Sequence, residues 1–204
     1  MKNFLRKYFY KISFPFFYLK WFYYSIFNKK IKLLVGAGLT SYNSWFSTDV
    51  HFLDITKESD FRKLFKKRKI DNILAEHVLE HLTSEQLKLM VANFYKYSSE
   101  NINIRIAVPD GFHNNPQYIN QVIPGGTGNG AHDHKHLFNY KTLCEYFEAA
   151  GFKARLIEYW DEYKQFNTIY TNDDKGTIRR SFLNDKRNSD GLPNYTSLII
   201  DFYK

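Results

Sequence analysis

Short apolar runs alternate with charged stretches of helical period along most of this chain. The first strong β-type run spans residues 31–35 and ends in Gly36-Ala37-Gly38; others follow at 46–50, 51–55, 72–75, 102–108, 154–159 and 197–203. Between them, 57–67 is charged and amphipathic, 84–97 has apolar residues at helical spacing, and 141–150 stops at Gly151 as a helix with a glycine terminator does. Strands alternating with helices predict an α/β fold with a mostly parallel sheet and helices on both faces. The stretch 161–194 is polar and reads as an excursion before the last strand, of a length usually functional or disordered.

Length and composition narrow this picture. At 204 residues, 44% apolar and 25% charged, the chain holds one compact domain, expected at 31–204. A single cysteine, Cys144, leaves no intramolecular disulfide and points to a reducing cytoplasm. Residues 1–48 carry Lys2, Arg6, Lys7, Lys11, Lys20, Lys29, Lys30 and Lys32 and no acid, so the whole +8 excess lies there. A basic excess confined to one end and interleaved with Phe, Tyr and Trp argues for a specialised arm, residues 1–30, rather than a general nucleic-acid surface. Lys20 interrupts the arm's apolar stretch, so no spanning helix is expected. Two fates stay open for the arm. It docks on an anionic membrane surface, with removal of 1–28 leaving a folded core, or it packs on protein.

The Gly36-Ala37-Gly38 turn after a strand suits a nucleotide loop, although Ser41 stands where a dinucleotide fingerprint has its third glycine. Asp49 and Asp54 follow at or near strand ends, where one carboxylate can accept both hydroxyls of a ribose and a second can approach an adenine amino group. Residues 77–81 spell His-x-x-Glu-His, a zinc pattern of one metallopeptidase class, but a strand runs straight into it where that class needs a long helix. His132, His134 and His136 alternate with Asp133 and Lys135, which in an extended segment points them one way. Arg180 and Arg187, with Arg179, could bind a phosphate or a sugar-acid carboxylate of a substrate.

Residues 32–38, 45–49, 52–54 and 71–82, with a tail at 176–181, 185–188 and 195–201, together resemble the class I S-adenosylmethionine (SAM)-dependent methyltransferases. The resemblance is nearest to small bacterial methyltransferases associated with surface-polysaccharide genes. It implies a Rossmann-like seven-stranded sheet whose last strand, 197–203, runs antiparallel. It also implies that Gly36, Ala37 and Gly38 approach the methionine part of SAM, that Asp49 holds the ribose, that Asp54 lies near the adenine, and that Glu76 faces the cofactor. The stretch from His77 matches, incompletely, the Glu-x-x-Glu-His metal site of ubiquinone-pathway O-methyltransferases and small-RNA 2′-O-methyltransferases, with His77 in place of the first Glu. On that match His77, Glu80, His81 and one of His132, His134 and His136 could hold a divalent ion that activates an acceptor hydroxyl. Two alternatives remain: a histidine acts as general base without metal, or Glu80 and His81 merely brace the following helix. The function implied is O-methylation of a saccharide or saccharide-lipid precursor, at the inner face of a bacterial membrane. Its rivals are a non-catalytic scaffold of this fold and an RNA methyltransferase whose arm grips RNA by charge and stacking.

Overall fold

The computed structural model describes residues 2–204, with side chains from residue 15 onward. In chain order the elements are α1 (Lys2–Phe27), β1 (Lys32–Val35), β2 (Phe46–Ser47), α2 (Glu58–Phe65), β3 (Ile70–Glu76), α3 (Ser84–Tyr97), β4 (Ser98–Pro109), α4 (Pro116–Val122), α5 (Tyr140–Glu148), β5 (Lys153–Trp160), β6 (Phe166–Thr168) and β7 (Ser197–Tyr203). They form one seven-stranded sheet in the order β2-β1-β3-β4-β7-β5-β6. β1 to β4 pair in parallel, β7 inserts antiparallel between β4 and β5, and β6 is an antiparallel edge. The expected α/β class, mostly parallel sheet and antiparallel last strand are all present.

Two strand expectations do not hold as drawn. The 46–50 run pairs only through Phe46 and Ser47, and 51–55 is a series of turns. The reason is local: the Asp49 carboxylate accepts the Val50 N–H at 2.7 Å while its carbonyl accepts Phe52 and Leu53 N–H, which bends the chain out of the sheet. Leu53 and Ile55 are still buried, so the apolar pattern reported burial rather than a strand. α3 matches its expected bounds because Thr83 and Gln86 form a reciprocal cap, each side chain taking the other's backbone N–H.

The two sheet faces are covered differently. One face packs against α1, α2, α3 and α5 around Phe61, Phe65, Phe94, Phe147 and the strand residues Leu33, Ile73 and Ile104. Phe17 and Trp21 of α1 lie in this core, with the Phe17 and Phe52 rings stacked 4.5 Å apart. Tyr24 hydroxyl donates to the Ser44 carbonyl and accepts from Lys32 N–H. The arm from residue 15 is therefore the end of a helix with one face in the core, while Phe16, Leu19, Phe22, Tyr23, Ile26 and Phe27 face outward. The Lys2, Arg6, Lys7 and Lys11 side chains lie outside the described residues. No helix among the described residues is long and apolar enough to cross a membrane.

The opposite face is covered by the 161–194 excursion, which is ordered. Tyr170 and Ile178 bury against Leu34, Leu74, Ala107, Ile157 and Ile199, and among the described residues no helix contributes to this cluster. A buried ion-pair network and a buried carboxyl fasten it. Arg105 of β4 makes a two-pronged pair with Asp201 (2.7 and 2.9 Å), binds Asp173 at 2.7 Å and donates to the Gly176 carbonyl at 2.9 Å. Glu158 of β5 accepts Phe182 N–H at 2.9 Å. A buried guanidinium needs such partners, and removing one leaves an uncompensated charge costing about 3–5 kcal/mol.

Candidate functional site

The carboxyl ends of β1 and β3 open onto a cleft of about 400 Å³ lined by Gly36, Gly38, Asp49, Asp54, His77 and His81, with Leu53 and Ile55 as apolar lining. Gly36 and Gly38 both take left-handed backbone angles (φ 59° and 54°). A Cβ on Gly36 would come within 2.4 Å of the Val78 side chain, whereas one on Gly38 would meet nothing within 4 Å, so the loop leaves open space above Gly38. Ala37 points away, into the second core cluster. Asp49 is anchored before any ligand arrives, because Oδ2 accepts Gly38 N–H at 3.1 Å and Oδ1 accepts Val50 N–H. Asp54 accepts from Thr56 and pairs with Lys57 at 2.8 Å; burial pushes its carboxyl up, but these partners more than offset that and hold it below the usual range.

Glu76 is not in this cleft. Alternation along β3 sends it to the excursion side, where its carboxylate accepts Arg179 Nε at 3.0 Å and Arg180 N–H at 2.9 Å. The expected cofactor role of Glu76 is replaced by a positioning role for residues 179–180.

His77 follows β3 directly in a left-handed conformation (φ 55°), uncommon for a residue with a side chain and a mark of functional sites. Its Nε2 lies 3.1 Å from Ser197 Oγ, which itself donates to the Arg180 carbonyl at 2.9 Å. His77 Nε2 then donates to Ser197, which leaves Nδ1 facing Glu80 Oε1 at 3.2 Å. A proton must lie between those two atoms. Glu80 is fully buried, and burial raises its carboxyl, but His77 draws it net below the ordinary glutamate range.

Glu80 Oε1 has His77 as its neighbour, but Oε2 has no hydrogen-bond partner, and neither does the buried His81 Nδ1. His134 joins them: one potential ligand atom each from Glu80, His81 and His134 lie within 4.8 Å of one another. His134 Nδ1 donates to the Val122 carbonyl at 2.7 Å, which leaves the Nε2 lone pair free. That arrangement of a histidine fixed by a carbonyl is how metal-ligating imidazoles are oriented. An orphaned oxygen on a buried carboxylate, beside two imidazoles, fits a cation. Asp133, 3.6 Å from His81 Nδ1, stands at the rim.

The histidines do not converge as a set. Gly130 in a left-handed conformation and the 3-10 turn Ala131–Asp133 break the extended path that alternation needed. His132 is exposed, and the half-buried His136 stacks on Phe138 beside Lys88 and Tyr146, away from the Glu80 carboxylate. Neither reaches the site, so their expected substrate roles are withdrawn. His77 contacts the cluster through Glu80 but is not one of the three residues that could share an ion.

On the other side of His77 lies a separate polar pocket of about 240 Å³ lined by Gln121, Asn129, His134, Arg180, Arg187 and Tyr195. His77 borders both spaces. Ser197 and Tyr195 carried no spacing signal in the sequence; they enter because β7 runs back alongside the end of β4.

No protein-family model matches the chain, and no curated protein matches it. Among solved structures, a SAM-dependent methyltransferase from Archaeoglobus fulgidus is similar at 17% identity and a TM-score of 0.48, covering 99% of this chain and 98% of that one. A LepI complex with SAM gives 7% identity and 0.47, covering 86% of this chain and 43% of that one. The CurJ carbon methyltransferase gives 12% and 0.44, covering 85% and 48%. This chain thus spans less than half the length of the last two.

Proposed function

We propose that this chain is a SAM-dependent methyltransferase acting on a hydroxyl of a saccharide or saccharide-lipid precursor, at the inner face of a bacterial cytoplasmic membrane. The observation that carries the reading is His77, a left-handed residue at a strand end that separates the glycine-loop cleft from the Arg180 pocket. A group-transfer enzyme needs two such spaces meeting at one point. Their position at the carboxyl ends of parallel strands is where open α/β sheets bind ligands.

On the donor side, Gly36 and Gly38 let the ligand approach the backbone, and Asp49, held by two N–H groups, accepts the ribose hydroxyls. SAM, when bound, supplies an electrophilic methyl group on a sulfonium. On the acceptor side, His134 Nε2, left free because Nδ1 is held by the Val122 carbonyl, would take the proton of the acceptor hydroxyl as that oxygen becomes the nucleophile. A divalent ion held by Glu80, His81 and His134 would supply Lewis acidity that lowers the hydroxyl pKa instead. The outward aromatic face of α1, with its basic neighbours Lys20, Lys29 and Lys30, supports docking on an anionic lipid surface.

Calorimetric titration with SAM and S-adenosylhomocysteine tests the reading. Micromolar binding of either supports it. Binding of neither returns the chain to the scaffold reading.

A further inference from the structure

The Arg180 pocket has a chemical character of its own. No Asp or Glu lines it, although the chain carries 21 acids, and two of its walls are guanidinium groups. The two are held differently. Arg187 gives Nε and Nη2 to the Asp185 carboxylate at 2.8 and 2.5 Å and lies 3.2 Å over the Tyr195 ring, so its plane is fixed and Nη1 remains free. Arg180 is fixed only through its backbone, whose N–H goes to Glu76 and whose carbonyl accepts Ser197. Its guanidinium makes no hydrogen bond among the described residues. Arg179, next in sequence, is neutralised by Glu76, and Asp185 offsets one of the remaining two charges. One positive charge is left without a counter-ion in a concave, half-enclosed space.

An unpaired guanidinium in a pocket free of carboxylates fits an oxyanion, because the planar fork donates two parallel hydrogen bonds to phosphate or carboxylate oxygens. We propose that Arg180 and Arg187 bind an anionic group of the methyl acceptor, a phosphate or a sugar-acid carboxylate, and thereby turn a hydroxyl of the same molecule toward His77 and His134. The orienting role rests on the methyltransferase reading; anion binding does not.

Isothermal titration of the full chain at constant ionic strength, with inorganic phosphate, a hexose phosphate and a hexuronate in turn, reads the site directly. At least one should bind in the millimolar range or tighter. Arg180→Gln should weaken that binding at least tenfold and leave S-adenosylhomocysteine affinity unchanged. Arg187→Gln should do the same but also lowers stability, since Asp185 and Tyr195 lose their partner. Arg180→Gln is therefore the deciding variant. A phosphate-selective response assigns a phosphorylated acceptor, and a response to the hexuronate alone assigns a sugar acid. If none of the three binds, or if binding survives unchanged in a folded Arg180→Gln variant, the proposal is overturned. Anion binding lost in Arg180→Gln without any SAM binding would remove the methyltransferase reading and leave the anion site standing.

Discussion

His134 meets His81 edge to face, with ring centroids 4.8 Å apart and planes at 78°. The two rings come from opposite ends of the site, one following β3 and one following the glycine-rich stretch after α4. Their ring nitrogens converge on the Glu80 carboxylate, whose Oε2 has no hydrogen-bond partner.

Titration with Zn²⁺, Mn²⁺ or Mg²⁺, followed by thermal unfolding, should show a rise in Tm saturating at one ion per chain, since an ion bound only in the folded state stabilises it. His134→Ala should abolish the rise, and His132→Ala, at an exposed position, should leave it intact. No shift with any of the three ions, in protein freed of metal beforehand, would leave His134 as base alone.

On the donor side, Asp49→Ala removes a carboxylate whose charge-assisted hydrogen bonds to ribose are worth about 1.5–3 kcal/mol. SAM affinity should fall at least tenfold by calorimetry. Gly36→Ala places a methyl against Val78 and imposes a left-handed angle on a side chain, so it should lower both Tm and affinity.

Stability should fall as pH rises. Asp110, at the end of β4, accepts Phe112 and Trp160 N–H but is so buried that its carboxyl is pushed up to about 7. Burial likewise raises Glu158 to about 8, helped by the nearby Asp110 charge. Unfolded, these groups ionise near 3.9 and 4.3. The folded state therefore holds extra protons between those limits. Its advantage is complete below about pH 4 and is lost as pH climbs through 7 and 8. Circular dichroism melts from pH 5 to 8.5 should show Tm dropping by several degrees, and Asp110→Asn with Glu158→Gln should flatten the slope. A Tm that rises over this range in the wild type contradicts the assignment.

The arm yields a contrast between two faces of one helix. Phe22 and Phe27, 57% and 79% exposed, should be replaceable by Ser with no change in Tm but with several-fold weaker binding to anionic vesicles at low salt. Trp21, packed against Phe46 and Phe65, should cost about 3–5 kcal/mol when cut to Ala. Deleting 1–28 would take Phe17, Trp21 and Tyr24 with it and should unfold the core. Sedimentation with phosphatidylglycerol vesicles checks the first claim, and indifference to them at low salt would reduce the arm to a structural element.

Much of the sheet was legible because its strands are apolar runs bounded by turns, and α3 because its apolar residues recur at helical spacing. α1 was not recognised as a helix. Its aromatic richness masks a helical period, and its contacts, such as Phe17 on Phe52, are long-range. The glycine turn and the placing of Asp49 against it were readable from local spacing. The partition among histidines was not: it hangs on one left-handed glycine, Gly130, and on the 3-10 turn after it. The role of Glu76 was equally hidden, since a carboxylate at a strand end looks the same whichever face it points to.

The buried pairings of Arg105, Glu76 and Glu158 have a kinetic meaning. They rivet residues 173–182 to the underside of the sheet at three points, so the wall that carries Arg180 cannot swing. Under the proposed function, an acceptor would meet a preformed wall rather than one that closes over it. The glycine-rich span 125–130 on the facing wall is itself tied by backbone bonds to the end of α4, so the pocket is braced from both sides.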